Sequence, residues 1–114
     1  MALHTESERR AKLMEACVAG TRAALSGTLR RHLEDRDLCV LDCVANQTMA
    51  LTRTLWAARP IDCHECQGLM QLLVSLKRIF KSPLPAQEAQ RLAELGQVAS
   101  EAYCALSEEP LALS

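Results

Sequence analysis

The fold is decided by residues 38–66, which read LCVLDCVANQTMALTRTLWAARPIDCHEC. In its first part, apolar residues recur every three or four positions, the period of a helix with one buried face. Pro60 ends this helix because its ring disfavours helical backbone at the preceding residue. Asp62 is placed to cap another helix, and Glu65, three residues later, makes a capping box. The stretch therefore predicts two helices joined by a short reversal.

The same period appears on both sides of this stretch. Before it, Thr5 and Glu8 have the spacing of a capping box and open a first helix. After it, Pro83 and Pro85 separate the third helix from a fourth. The predicted core face of the first helix consists of Ala11, Met14, Val18, Leu25, Leu29 and Leu33. We predict one domain, 1–114, with helices at about 6–33, 38–58, 62–81 and 86–106 and a frayed tail at 107–114.

These segments predict an all-α fold, because no stretch alternates apolar and polar residues as a strand does. Long helices with short connections favour an antiparallel four-helix bundle. The charged residues 34–37 are either a turn, with Asp37 as a cap, or a continuation of the helix. The second case predicts an extended helical hairpin with a long first arm, completed by oligomerisation.

Composition argues against several classes of function. Only 3% of the 114 residues are aromatic, too few to line a stacking pocket, so we expect no small-molecule substrate. The net charge of −1 gives no attraction to nucleic acid, and no apolar run is long enough for a membrane span. The polar first fifteen residues do not resemble a signal peptide, so we expect an intracellular, reducing compartment, cytoplasm or nucleus.

Enzyme signatures are also absent from the sequence. His64-Glu65 begins like a zinc-protease motif but lacks the second histidine. No glycine-rich phosphate loop and no nucleophile elbow occurs. We therefore expect a protein that is not an enzyme.

The second and third helices contain few charges. Between residues 38 and 58 only Asp42 and Arg53 are charged, and residues 66–76 contain no charge. Exposed apolar surface of this extent marks an interface, unless uncharged polar side chains cover it. The candidate anchors of the interface are Leu41, Val44, Met49, Leu69, Leu72 and Leu76.

The first helix has a row of small residues, which are Ala16, Gly20, Ala23, Ala24 and Gly27. An interior glycine costs a helix about 1 kcal/mol relative to alanine. Two such glycines indicate close approach by a neighbouring helix, in the same bundle or in another chain.

Six cysteines lie in or beside the helical segments, and they are buried thiols, metal ligands or redox groups. The pairs Cys39/Cys43 and Cys63/Cys66 cannot share one zinc ion, because the helical rise separates them by roughly 20 Å. We therefore expect two end clusters. One predicted zinc or copper site comprises Cys63, His64, Cys66 and Cys104, with His4 close by. The other brings His32 towards Cys39 and Cys43.

The favoured interpretation of these cysteines is structural burial. We therefore predict a non-enzymatic interaction module, without a cofactor, that dimerises or serves as a subunit or adaptor of a larger helical assembly. Its partner is a second copy or another helical protein. The alternative is a helical bundle that binds metal or senses redox state through its cysteines and histidine.

Overall fold

The computed structural model describes residues 6–76 and 86–112, and these residues form five helices. The helices are α1 (Glu6–Ala24), α2 (Gly27–Arg30), α3 (Asp35–Trp56), α4 (Cys63–Ser75) and α5 (Ala86–Ala112). No strand occurs within the described ranges. The predicted all-α class is confirmed.

The four long helices form a closed bundle. α1 packs against α3 and α5, and α4 packs against the same two helices. Each long helix therefore lies beside the one that follows it, as short connections between antiparallel helices require. The contact between α3 and α4 is the least extensive of the four.

The first predicted helix is interrupted, so its prediction as a single helix over 6–33 is wrong. α1 ends at Ala24, and Ser26 caps the single turn of α2, its Oγ accepting a hydrogen bond from the Leu29 N–H at 3.4 Å. Serine competes for backbone hydrogen bonds in this way, which favours caps over helix interiors. After α2 the chain reverses before Asp35, so the alternative of an extended hairpin with a long first arm is also wrong. Asp37 lies in the first turn of α3 and is not its cap.

Leucine fills the centre of the bundle. Every helix contributes side chains that are almost completely shielded from solvent, and no buried residue in the described core is aromatic. The largest fully buried side chains are Leu13, Leu29, Leu41, Leu69, Leu76, Leu92, Leu95, Val44 and Thr48. Burying one leucine side chain contributes about 1.5–3 kcal/mol, so these residues account for much of the stability.

The buried face of α1 differs from the predicted one. Val18 and Leu25 point outward, whereas small residues on the opposite side face the core. Gly20 lies directly against the Leu95 side chain of α5, where a Cβ atom would overlap it, so this glycine serves close packing inside the bundle. Gly27 has no such role, because a Cβ atom there would meet no neighbour within 4 Å.

The ends of the other helices differ more modestly from the predictions. α3 ends at Trp56, two residues before the predicted end. α5 continues to Ala112, beyond the predicted end at 106 and past Pro110. α4 ends at Ser75 with Leu76 as its C-cap, before the predicted end at 81, and residues 77–81 lie outside the described residues. The predicted cap at Thr5, the position of His4 and the helix start at Pro85 lie outside them as well.

The reversal around Pro60 has capping hydrogen bonds on both sides. Asp62 caps α4 as predicted, its Oδ1 accepting the His64 N–H at 2.9 Å. Glu65 does not complete a capping box with its side chain, since its Oε2 atom is buried without a hydrogen-bond partner among the described residues. On the other side, Ala58 N–H donates to Leu55 O at 3.1 Å and Arg59 N–H donates to Thr54 O at 3.0 Å. This pair of bonds is a Schellman motif.

The Schellman motif places Ala58 in the left-handed region, with φ of 57°. Glycine is the usual residue there because its lack of a Cβ removes the steric cost. We expect Ala58→Gly to raise the free energy of unfolding by about 0.5–1 kcal/mol in urea denaturation. The control is Ala57→Gly, at a φ of −79°, which should lower stability instead. If both substitutions change the free energy of unfolding equally, Ala58 is not in the left-handed conformation of a Schellman motif.

Candidate functional site

Two exposed apolar rows run side by side on α1 and α3. Val18 of α1 is 37% exposed, and Leu25, the residue after the end of α1, is 54% exposed; the spacing of seven residues puts them on one side of the helix. On α3, Met49 is half-buried and Trp56, seven residues later, is 82% exposed. Together these four residues form what we call the apolar strip.

Hydrogen bonds fix how α1 and α3 align. The Thr21 and Thr48 hydroxyls hydrogen-bond to each other between the two helices. Near the end of α3, the Arg10 guanidinium donates to the Arg59 carbonyl oxygen at 2.8 Å. Residue numbers rise along α1 as they fall along α3 between these two contacts, so the helices are antiparallel. Val18 and Met49 face one groove between the two helices, and Leu25 and Trp56 each lie seven residues further along the chain, outside the lining of that groove.

The α1–α3 groove has a volume of about 370 Å³. It is lined by Val18, Thr21, Arg22, Met49, Thr52 and Arg53. The threonine hydroxyls are turned to their own helices: Thr21 Oγ1 lies 2.8 Å from Cys17 O, and Thr52 Oγ1 donates to Thr48 O at 2.7 Å. The centre of the groove therefore offers mainly carbon and sulfur to a partner.

Two arginines stand on opposite sides of this groove, Arg22 on α1 and Arg53 on α3. Both are exposed, and neither forms an ion pair within the described part of the chain. By contrast, Arg30, the last residue of α2, is paired with Asp42 at 2.8 Å. The groove is thus apolar along its length and positively charged at its sides.

The structure places the six predicted anchors in two environments. Leu41, Val44, Leu69 and Leu76 are fully buried in the protein's own core, where the bundle already uses their apolar surface. They cannot contact a partner that docks on the folded surface. Met49 and Leu72 are half-buried at the surface, and they lie in different grooves. Of the predicted set, Met49 alone belongs to the apolar strip.

A second groove lies between α3 and α4. It is open, has a volume of about 580 Å³, and contains no charged residue in its lining. The lining residues are Cys43, Asn46, Gln47, Gly68, Gln71, Leu72 and Ser75. Amide and hydroxyl groups therefore cover this face of α3 and α4. Such a covering of uncharged polar side chains was the alternative, predicted from sequence, to an interface on these two helices.

Sequence reasoning missed most of the apolar strip. Val18 and Leu25 were assigned to the core, and Trp56 was assigned no role. The signal that identifies them is the seven-residue spacing of a large apolar residue on each helix, combined with a row of small residues on the other face of α1. A glycine packed against a neighbouring leucine shows which of the two faces is inside.

The six cysteines have different exposures. Cys17 and Cys66 are completely buried, Cys63 is half-buried, and Cys39, Cys43 and Cys104 are exposed. All six are free thiols. Burial therefore explains two of the six, and the favoured interpretation of structural burial does not extend to the others.

The predicted metal ligands are only partly brought together. The ligand atoms of Cys63 and His64 lie, with those of Asp62, within 4.8 Å of one another. Cys66 and Cys104 are not members of this cluster. Among the described residues, His32, Cys39 and Cys43 do not form a comparable group at the other end.

Burial also changes the acidity of the two core thiols. Burial raises the pKa of the Cys17 thiol to about 12, and the neighbouring Cys66 adds to the shift. Burial likewise raises the pKa of Cys66 to about 11, with further contributions from Glu65, Cys63 and Asp62. Both groups are therefore neutral thiols near pH 7, which makes them poor nucleophiles and poor metal ligands.

Comparison with protein-family models, curated proteins and solved structures found no match to this chain. Within residues 6–76 and 86–112, no helix combines the length and the apolar character that crossing a membrane requires.

The Cys17 thiol gives a pH-dependent contribution to stability. Its pKa is raised from 9.0 to about 12 on folding, so the folded state favours the neutral form. The unfolded chain loses this proton above pH 9.0, so stability falls as pH rises from there, by up to about 1.4 kcal/mol per pH unit. Between roughly pH 8 and roughly pH 10, Cys17→Ala should therefore lose about 1 kcal/mol less stability than the wild type in urea denaturation.

The matched control is Cys104→Ala, because Cys104 is exposed. It should lose as much stability as the wild type over the same pH interval. A Cys17→Ala variant with an unchanged pH dependence would show that the thiol is not neutralised by burial.

Proposed function

We propose that this chain is a non-enzymatic protein–protein interaction module that binds an acidic amphipathic helix of another protein in the α1–α3 groove. The observation that carries the proposal is the apolar strip, in which the only tryptophan of the chain is 82% exposed. Tryptophan is among the residues most enriched at the energetic centres of interfaces. An exposed contiguous apolar patch on a small protein commonly marks such a site.

The length of the strip suits a short helix. In the register set by the Thr21–Thr48 hydrogen bond, Trp56 lies level with Leu13. Leu25 and Trp56 are therefore about twelve residues apart along α1, or about 18 Å. This distance corresponds to about three turns of helix, with apolar anchors at i, i+3/i+4 and i+7. The helix is thus held between two rows of side chains.

The charge at the sides of the groove favours another protein over a second copy. A two-fold dimer through this face brings the Arg22 and Arg53 pairs of both copies into one interface, which repels. A partner with glutamate or aspartate beside its apolar face neutralises both arginines instead. Rim charges of this kind act on association rate and specificity more than on final affinity.

The cysteines bear on where the module works. Cys39, Cys43 and Cys104 are exposed as free thiols. Exposed thiols persist in compartments that keep them reduced. We therefore propose that the module works in the cytoplasm or nucleus.

The proposal can be tested with synthetic helical peptides and the fluorescence of Trp56. The first peptide carries leucines on one face flanked by glutamates, and the second carries the same leucines flanked by lysines; both lack tryptophan. Burial of Trp56 should shift its emission to shorter wavelength on titration with the acidic peptide. The basic peptide should bind at least about tenfold more weakly, because it faces Arg22 and Arg53.

Val18→Asp supplies the matching change in the protein. A carboxylate in the centre of the groove should weaken binding of the acidic peptide at least about tenfold, equivalent to about 1.4 kcal/mol. Val74→Asp is the control, because Val74 is also an exposed valine, 67% accessible, but lies on α4. It should bind as the wild type does, and both variants should remain helical by circular dichroism.

Three outcomes would contradict the proposal. If both peptides bind equally or Val74→Asp weakens binding as much as Val18→Asp, the groove is not the docking site. If light scattering gives a stable dimer that Val18→Asp converts to the 12.6 kDa monomer, the groove is occupied by a second copy and not by another protein.

A further inference from the structure

A cluster of three different metal-ligating side chains lies at the start of α4. Asp62, Cys63 and His64 place a carboxylate oxygen, a thiol sulfur and an imidazole nitrogen within 4.8 Å of one another. Asp62 and His64 are exposed and Cys63 is half-buried, so an ion can reach all three from solvent without opening the core. The cluster is separate from the α1–α3 groove, which α4 does not line.

The backbone holds the cluster in place. Asp62 has extended geometry, with φ of −87° and ψ of 135°, and α4 begins at the next residue. Its Oδ1 accepts the His64 N–H at 2.9 Å, which fixes the carboxylate over the first turn of the helix. A carboxylate has further lone pairs and a second oxygen, so this bond leaves it free to bind a cation. Local capping chemistry therefore also orients a ligand.

The ligand types select the metal. Zinc binds thiolate at about 2.3 Å and imidazole nitrogen or carboxylate oxygen at about 2.0–2.2 Å. Ligand atoms on one zinc ion are therefore about 3–4 Å apart, which small rotations of these side chains reach from 4.8 Å. Copper(I) prefers soft sulfur ligands and gains little from a carboxylate. The set of one oxygen, one sulfur and one nitrogen fits zinc.

The electrostatic balance also favours a divalent cation. The N-terminus of a helix carries about half a positive charge, which opposes cation binding. The Asp62 carboxylate and the Cys63 thiolate formed on binding contribute two negative charges directly at the ion. These charges outweigh the helix dipole.

From this geometry we propose that Asp62, Cys63 and His64 bind one zinc ion, with water in the fourth position. Binding exchanges the thiol proton of Cys63 for the metal, and that proton is released to solvent. The site differs from the one predicted from sequence, since Cys66 is completely buried and Cys104 lies outside the cluster. The zinc site and the docking groove are independent proposals.

Titration of the metal-free chain with cobalt(II), under a reductant that does not bind metals, tests the site. Cobalt bound to a thiolate gives a sulfur-to-metal charge-transfer absorption, and zinc should displace it at a ratio of one ion per chain. Cys63→Ser should abolish this absorption. His64→Asn should weaken cobalt binding at least about tenfold, since it removes a direct ligand.

Asp62→Asn separates the two roles of that residue. Asparagine caps a helix about as well as aspartate but removes the charge. The variant should keep the wild-type unfolding midpoint in urea while binding cobalt at least about tenfold more weakly. If Asp62→Asn binds cobalt with wild-type affinity, the Asp62 carboxylate is not a ligand of the metal.

Cys104→Ser and Cys39→Ser are the controls, because each removes an exposed thiol from another helix. Both should retain the wild-type absorption and affinity. The proposal is overturned if cobalt binds without a charge-transfer band, or if Cys63→Ser retains that band. It is equally overturned if either control abolishes binding as fully as Cys63→Ser.

Discussion

A hydrogen bond between two threonine hydroxyls, one of them fully buried, holds the register of α1 against α3. Thr48 is completely shielded from solvent, and its Oγ1 meets that of Thr21 between the helices. Each hydroxyl has one hydrogen, so one threonine donates across to the other, while the second donates to a carbonyl of its own helix, Cys17 O or Val44 O. Sliding α1 by one turn separates the pair and loses the hydrogen bond between the helices, at about 0.5–1.5 kcal/mol, while each hydroxyl can still donate to a carbonyl of its own helix. This hydrogen bond favours the register in which the residues of the groove face each other.

The exposed apolar strip follows from how α1 packs on its other side. Gly20 and the adjacent small residues let α1 approach Leu95 of α5 closely. With this face of α1 turned toward α5, Val18 is left in the groove beside α3 and Leu25 is left exposed after the end of the helix. The small-residue face and the exposed strip are therefore two consequences of one orientation of α1.

The sequence predicts the class of the fold because the helical period and the Pro60–Asp62 boundary are strong local signals. It does not predict the orientation of α1, because that helix has both a large apolar row and a small one, and period alone does not rank them. The break at Ser26 is missed for a related reason: the apolar spacing continues through it. The orientation of α1 and the break at Ser26 are decided by contacts with α5 and α3. These are tertiary contacts, which local sequence patterns do not specify.

For the candidate site, too, local sequence patterns predict some features and tertiary contacts decide the others. Counting charges correctly identified α3 and α4 as helices without a full charged surface, but it could not separate core leucines from surface ones. Leu41 and Leu69 satisfy a count of apolar residues as well as Trp56 does, yet only Trp56 reaches solvent. The Asp62 cap was identified from sequence, whereas its approach to the Cys63 and His64 ligand atoms depends on rotamers that the sequence does not specify.

The larger of the two grooves is the weaker candidate for docking, for a reason of solvation. The α3–α4 groove is lined by amides and hydroxyls such as Asn46, Gln47 and Gln71, which already hydrogen-bond with water. A partner that covers them must replace each of those bonds, so the net gain per bond is small. The α1–α3 groove has turned its threonine hydroxyls to its own backbone and presents Val18 and Met49 to solvent. Covering it releases water from apolar surface at about 25 cal/mol per Å² with few polar bonds to replace, so the smaller groove has the larger driving force.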